Sequence, residues 1–175
     1  MMPSPTNNNR GSKTSRLTAA ALLATIALIF SYIEAILPLS VGIPGVKLGI
    51  ANLVVLVAIY KLDFRYALGI NVIRILVAGL LFSGVFGAMY SLAGGLLSLC
   101  VMYLLKKTDL FSIVGVSMAG GVAHNIGQIL VAAFVISNLR MFLYLPVLMF
   151  SGIISGILIG IVAYYIVDKI PSRFF

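Results

Sequence analysis

Apolar residues run almost unbroken from Leu17 to Leu37 and return in five further stretches: Val46 to Tyr60, Tyr66 to Phe82, Val85 to Leu105, Ser112 to Ile136 and Phe142 to Val167. Several exceed the roughly 18 residues that cross about 30 Å of hydrocarbon at about 1.5 Å rise per residue. The pattern predicts an all-α fold, a polytopic bundle of six transmembrane helices over residues 17–168. Residues 1–16, rich in Ser, Asn and basic side chains without apolar periodicity, read as a disordered tail, and 169–175 as a second, short tail. The second stretch is short. Pro38 to Gly45 (PLSVGIPG) precedes its main body and, with two prolines and two glycines, stops the first helix in an irregular connection able to cap a site from outside. Between the third and fourth stretches stands only Ser83-Gly84, the weakest division in this pattern.

Composition supports the membrane reading. Hydrophobic residues make up 62% and charged residues 9% of the chain, against about a quarter charged in soluble domains. The net charge of +8 raises nucleic acid as a partner, but the basic residues sit in short clusters between apolar stretches, as topology signals do. Nucleic-acid binding is excluded on that distribution. With six crossings, nine of the twelve basic residues fall on one side: Arg10, Lys13, Arg16, Lys61, Arg65, Lys106, Lys107, Lys169 and Arg173. The excess predicts that both termini are cytoplasmic and the protein lies in the cell membrane. The first stretch is too long for a signal-peptide core and no A-x-A-like site closes it. Cys100 is the only cysteine, so no intramolecular disulfide or cysteine-rich metal site forms.

Against this background, polar side chains inside the apolar stretches mark a candidate site. Glu34, Lys47, Asn52, Asn71, Arg74, His124, Asn125 and Gln128 all fall in the half of the bundle opposite the basic termini, and are expected to form a substrate-binding site. Arg74 in hydrocarbon costs about 2.5–3.5 kcal/mol on insertion scales, so it should face the interior with a partner. Glu34 is the acid available to it. The two either form a structural ion pair or belong to a pocket for an anionic ligand held by the Arg74 fork. His124 alone fits a hydrogen-bonded packing role; its polar neighbours make a binding role equally fitting. No metal site is expected, since no second His or Cys lies at ligand spacing, and no nucleotide-binding loop G-x-x-x-x-G-K-[ST] occurs. No cofactor is implied.

Small residues form a second pattern. Ala20, Ala24, Ala27, Ser31 and Ala35 make one stripe on the first helix, Gly115, Ala119, Ala123 and Gly127 repeat the spacing in the fifth, and Gly152, Gly156 and Gly160 in the sixth. Such stripes serve either internal packing or a partner subunit. The first-helix stripe is the candidate docking face.

The segments Ile43 to Asn52 (IPGVKLGIAN), Asn71 to Arg74 (NVIR) and Gly120 to Gln128 (GGVAHNIGQ) resemble the Gx transporter family, also described as heptaprenyl diphosphate synthase component I, over about Leu17 to Asp168. That family is similar to the substrate-binding S components of energy-coupling factor transporters. The resemblance implies a six-helix protein that captures a small anionic ligand, prenyl- or quinone-related, from outside under the loop between its first two helices. It further implies docking through Ala20, Ala24 and Ala27 on a transmembrane coupling subunit that works with an ATPase pair. The other family description implies a non-catalytic membrane accessory subunit of heptaprenyl diphosphate synthase. Catalysis by the chain itself is not expected: prenyl synthases hold magnesium and diphosphate with paired aspartate motifs, whereas Asp63, Asp109 and Asp168 stand singly and Glu34 is the fourth and last acid.

Overall fold

The computed structural model describes residues 8–36 and 49–170. In chain order these form α1 (Asn8–Ile36), α2 (Ile50–Lys61), α3 (Phe64–Ala78), α4 (Gly84–Lys107), α5 (Ile113–Ile136) and α6 (Leu145–Lys169). A π-helical turn, Gly79–Ser83, joins α3 to α4, and a 3-10 segment, Leu139–Tyr144, leads into α6. There is no strand among the described residues, as the apolar pattern requires.

Two boundaries differ from those expected. Because α3, the π turn and α4 form one unbroken helical run, Phe64–Lys107, the described residues hold five continuous helices and not six separate spans. Four runs are long and apolar enough to cross a membrane, Lys13–Ile36, Phe64–Lys107, Ile113–Ile136 and Leu139–Lys169; the 12-residue α2 is not. The cause lies at Ser83-Gly84. Two residues are too few for an open loop, so the hydrogen bonding widens to a π turn and the chain swings at Gly84, whose φ of 69° is open to glycine at little cost. A Cβ placed on Gly95 would stand 2.9 Å from Asn71 Nδ2, so α4 returns alongside α3. The second difference is at the start, where α1 begins at Asn8 and not Leu17, carrying the polar stretch to Arg16 within the helix.

Helix α2 is the core. All seven residues from Leu53 to Ile59 are buried, because a helix apolar on every face is stable only when surrounded. It packs against α1, α3, α4 and α6. The outer surface of the bundle is apolar: on α1 alone Leu22, Ile26, Ile29 and Ile36 are exposed, and on other helices Phe134, Phe150 and Ile154. A surface of this kind belongs in lipid, and the chain is a membrane-embedded protein.

The α1 stripe faces the other way. Ala20 and Ala27 are buried and Ala24 packs on the same core, against α2 and α3. The proposed docking residues Ala20, Ala24 and Ala27 are therefore an internal packing face. Small residues let α1 approach its own neighbours closely, while Leu22, Ile26 and Ile29 point outward.

Helices α4, α5 and α6 interlock through glycine. A Cβ on Gly156 would lie 2.6 Å from Met118 Cα, and one on Gly160 would lie 2.7 Å from Val114 Cα. Gly127 sits against Ala93 and Gly94, and Gly121 against the Gly152 carbonyl. The glycine stripe of the sixth helix thus packs on Val114, Ser117, Met118 and Gly121 of α5, while Gly127 of the fifth-helix stripe packs on α4.

One end of the bundle gathers the basic residues. Arg16 Nη1 lies 2.8 Å from Asp63 Oδ2, Lys61 Nζ donates to the Ile170 carbonyl at 2.6 Å, and Lys106 Nζ to the Ile59 carbonyl at 2.6 Å.

Candidate functional site

At the centre of the site is Arg74, 8% exposed, on α3. Its guanidinium spans three helices. Nη2 donates to Asn71 Oδ1 at 2.7 Å and to Asn52 Oδ1 at 3.4 Å, and Nη1 to Ser31 Oγ at 3.3 Å. Asn71 is one turn before Arg74 on the same face, Asn52 is in the first turn of α2, and Ser31 belongs to the small stripe of α1. All three acceptors are neutral oxygens.

Glu34 does not serve as a contact partner for Arg74. Its Oε1 accepts the Ile50 backbone N–H at 2.6 Å, so the carboxylate caps the first turn of α2. An acid there satisfies an otherwise orphaned donor and complements the positive end of the helix dipole. Gly49, left-handed at φ 73°, turns the chain into α2 immediately before this cap.

Arg74 and Glu34 line a common cavity of about 80 Å³, together with Asn52, His124 and Asn125. At about 10–15 Å³ per water, this holds a handful of waters or one compact polar group. Asn125 Nδ2 donates to the Leu148 carbonyl at 2.6 Å, tying α5 to α6, while His124 packs beside Gly94 of α4. The cavity therefore touches both the Arg74 network and the glycine-packed helices.

Five of the eight expected site residues thus line one cavity: Glu34, Asn52, Arg74, His124 and Asn125. Asn71 is 1% exposed and acts from behind, holding the Arg74 fork. Gln128 does not line the cavity; its Cγ would stand 2.9 Å from a Cβ on Gly94, at the α4–α5 contact. Lys47, and the Pro38 to Gly45 loop expected to act as a lid, lie outside the described residues. Arg140 is on the exposed 3-10 segment, where its backbone N–H is capped by Asn138.

The serines were missed as a group. Ser31, Ser83, Ser91, Ser98, Ser117 and Ser155 all line the cavity, and only Ser31 stood out in the sequence, as part of a stripe. A periodic signal was present: Ser117 lies two turns before His124 on one face of α5, and Ser91 and Ser98 share a face of α4. Ser31 and Ser155 also bond their own helix, to the Ala27 and Gly152 carbonyls. Ser98, 2% exposed, does not.

Among the described residues, Ser98 Oγ, Arg74 Nε and Asn71 Nδ2 are buried without a hydrogen-bond partner. A buried polar atom left unmatched costs about 1–3 kcal/mol, more for a charged group. Arg74 and Ser98 both line the cavity, so their two unmatched atoms favour a bound group that accepts from Arg74 and exchanges a bond with Ser98, whereas Asn71 Nδ2 faces Gly95 outside it. No cluster of three or more His, Cys, Asp or Glu side chains able to hold a metal exists among the described residues.

A family model described as heptaprenyl diphosphate synthase component I matches residues 23–166 of the chain. Neither curated proteins nor solved structures give a match.

Proposed function

As the chain belongs to the heptaprenyl diphosphate synthase component I family, we propose that it is a non-catalytic membrane subunit that partners a separate synthase component and holds a small anionic group in the Arg74 cavity. The observation that carries the binding half of this reading is the buried guanidinium whose bonded partners are all neutral and whose Nε has none. An acceptor with two oxygens, such as a carboxylate or phosphate, fits a fork of this kind. A cavity of about 80 Å³ admits such a head and excludes a long prenyl chain, so any tail lies elsewhere. The non-catalytic half is supported by the scarcity of acids: four in the whole chain, none paired in an aspartate-rich motif.

In this reading the continuous run Phe64–Lys107 folds back at Gly84 and crosses twice, and with the short α2 as a buried inner crossing the chain passes the cell membrane six times with both termini cytoplasmic. The reversal at Gly84 and the collection of Arg16, Lys61, Arg65, Lys106 and Lys107 at one end of the bundle support that topology. Residues 17–168 then make up a single membrane domain.

One observation favours a second reading, a substrate-binding component of an energy-coupled importer. The cavity is partly enclosed and sets hydroxyls and amides among apolar side chains, as suits the capture of a small solute. Its partners would be a transmembrane coupling subunit and an ATPase pair, meeting a face other than the buried alanine stripe.

Affinity purification of the tagged chain from its own membranes, with mass spectrometry of retained proteins and small molecules, separates the two. Recovery of a soluble prenyl diphosphate synthase establishes the first reading, and recovery of an ATPase pair with a coupling subunit replaces it with the second. Arg74→Ala should lose the retained small molecule under either.

A further inference from the structure

Away from the Arg74 cavity, the α2–α3 corner and the last turn of α4 enclose an open cleft of about 700 Å³ at the basic end of the bundle. Arg65, Lys106 and Lys107 line it, with Asp63, Asp109 and Tyr103. We infer that this cleft binds a phosphate group carried by a lipid at the membrane surface.

Charge is the first argument. The Asp63 carboxylate is already engaged by Arg16 at 2.8 Å. Three cations then face the remaining carboxylate, Asp109, and the balance favours an anion.

The second argument is the way the ammonium groups are held. Lys106 Nζ stands 5.1 Å from the centre of the Tyr60 ring, and Lys107 Nζ 5.2 Å from that of Tyr103. Cation–π contact restrains long side chains that would otherwise sweep through solvent. Lys106 spends one donor on the Ile59 carbonyl, and an ammonium carries three. A bias of positive charge toward one side of the membrane requires lysines at that end. It does not require two adjacent ones anchored on aromatic rings at the rim of a cleft.

The third argument separates a lipid from a free anion. Apolar side chains share the lining of the cleft, with the Phe64 and Tyr103 rings packed at 4.6 Å between centroids and Leu62 buried. Leu104 and Leu110, next in sequence to the lining residues Tyr103 and Asp109, are exposed. Cationic side chains beside apolar ones at the helix ends match a headgroup phosphate whose chains continue into the bilayer, the arrangement by which basic pockets between membrane helices hold anionic lipids. The inference depends neither on the Arg74 cavity nor on the partner protein.

The test uses the full-length chain reconstituted in nanodiscs of phosphatidylcholine containing a minor share of phosphatidic acid, with lipid mass spectrometry of what stays bound after transfer to detergent. Phosphatidic acid should be enriched over phosphatidylcholine, and the double variant Arg65→Gln, Lys107→Gln should lower that enrichment roughly tenfold. Arg65→Lys with Lys107→Arg should restore it, which rules out misfolding as the cause. The control pair Lys13→Gln, Lys169→Gln removes the same charge from the same end but outside the cleft, and should change little. Equal loss in the control pair overturns the inference, because general surface charge then suffices, as does retention unaffected by the cleft pair. Inorganic pyrophosphate is the soluble probe. Displacement of phosphatidic acid by it assigns the phosphate alone as the recognised group, whereas cleft-dependent retention that resists it assigns the lipid-borne form.

Discussion

The two halves of the bundle meet at one cavity and are held together by opposite means. Helices α4, α5 and α6 join through glycines pressed onto neighbouring backbone, with no space for even a methyl group at Gly121, Gly127, Gly156 or Gly160. Helices α1, α2 and α3 join through aliphatic packing around α2 and through one guanidinium that bonds Ser31, Asn52 and Asn71. Contacts of backbone on backbone are short-ranged and do not tolerate displacement. A guanidinium network can exchange one acceptor for another. The α4–α6 half is therefore the tightly packed wall of the cavity, and the α1–α3 half the one whose hydrogen bonds a bound group can exchange.

The largest effect should follow from filling a glycine contact. Gly156→Ala puts a methyl group 2.6 Å from Met118 Cα and 2.9 Å from the Ser117 carbonyl oxygen, so two helices must separate. A loss of about 1–3 kcal/mol, the usual range for overpacking, should appear as a lower midpoint of thermal unfolding in detergent. Gly69→Ala is the matched control in the other half, where nothing lies within 4 Å of the new methyl. It should be neutral or stabilising by up to about 1 kcal/mol through helix propensity. Equal destabilisation by both would remove the distinction between the halves.

Next in size is the Arg74 network. Arg74→Lys keeps the charge but gives up the planar fork, and a lysine cannot reach Ser31, Asn52 and Asn71 together. The small molecule that co-purifies with the chain should fall by about tenfold or more, since hydrogen bonds to charged groups contribute about 1.5–3 kcal/mol. The fold should survive, because the apolar core around α2 does not involve Arg74. Unchanged retention would make the network purely structural.

Ser98 sharpens the comparison from inside the wall. Its hydroxyl is buried without a partner, so Ser98→Ala removes an unmatched group and should stabilise the ligand-free protein by about 1 kcal/mol. The same change should reduce the further stabilisation that a bound ligand confers. Opposite signs in the two states, read as thermal midpoints with and without co-purified ligand, would identify the hydroxyl as part of the site; a loss in both would make it a packing residue.

What the sequence revealed follows the range of the interactions involved. Helix type and approximate extent depend on local apolar runs, and α5 and α6 fall close to their expected bounds. Arg74 and His124 were legible because a polar group within an apolar run is improbable without a role. Asn52 and Asn71 were expected at the same site, but the bonds themselves were not legible, since Asn52 and Ser31 reach Arg74 only through the packing of α1 and α2 on α3. Charge makes Glu34 the one acid available to Arg74, but its carboxylate accepts the Ile50 N–H at the first turn of α2. The alanine stripe was the least legible feature, because small-residue spacing is the same for an inner and an outer face. Only the complementary row Leu22, Ile26 and Ile29, exposed on α1, shows which way the helix is turned.

The smallest expected effect tests whether the basic end belongs to the tightly packed part. Arg16 and Asp63 join α1 to the start of α3 at 2.8 Å, but their side chains are 40% and 59% exposed. Water and salt screen such a pair, so Arg16→Gln should cost no more than about 1 kcal/mol, and the cost should vanish as ionic strength rises. If instead the loss is larger and independent of salt, α1 is pinned to α3 at both ends, by Asp63 at one and by Arg74 at the other. Exchange of hydrogen bonds would then be confined to the region around Ser31, Asn52 and the first turn of α2.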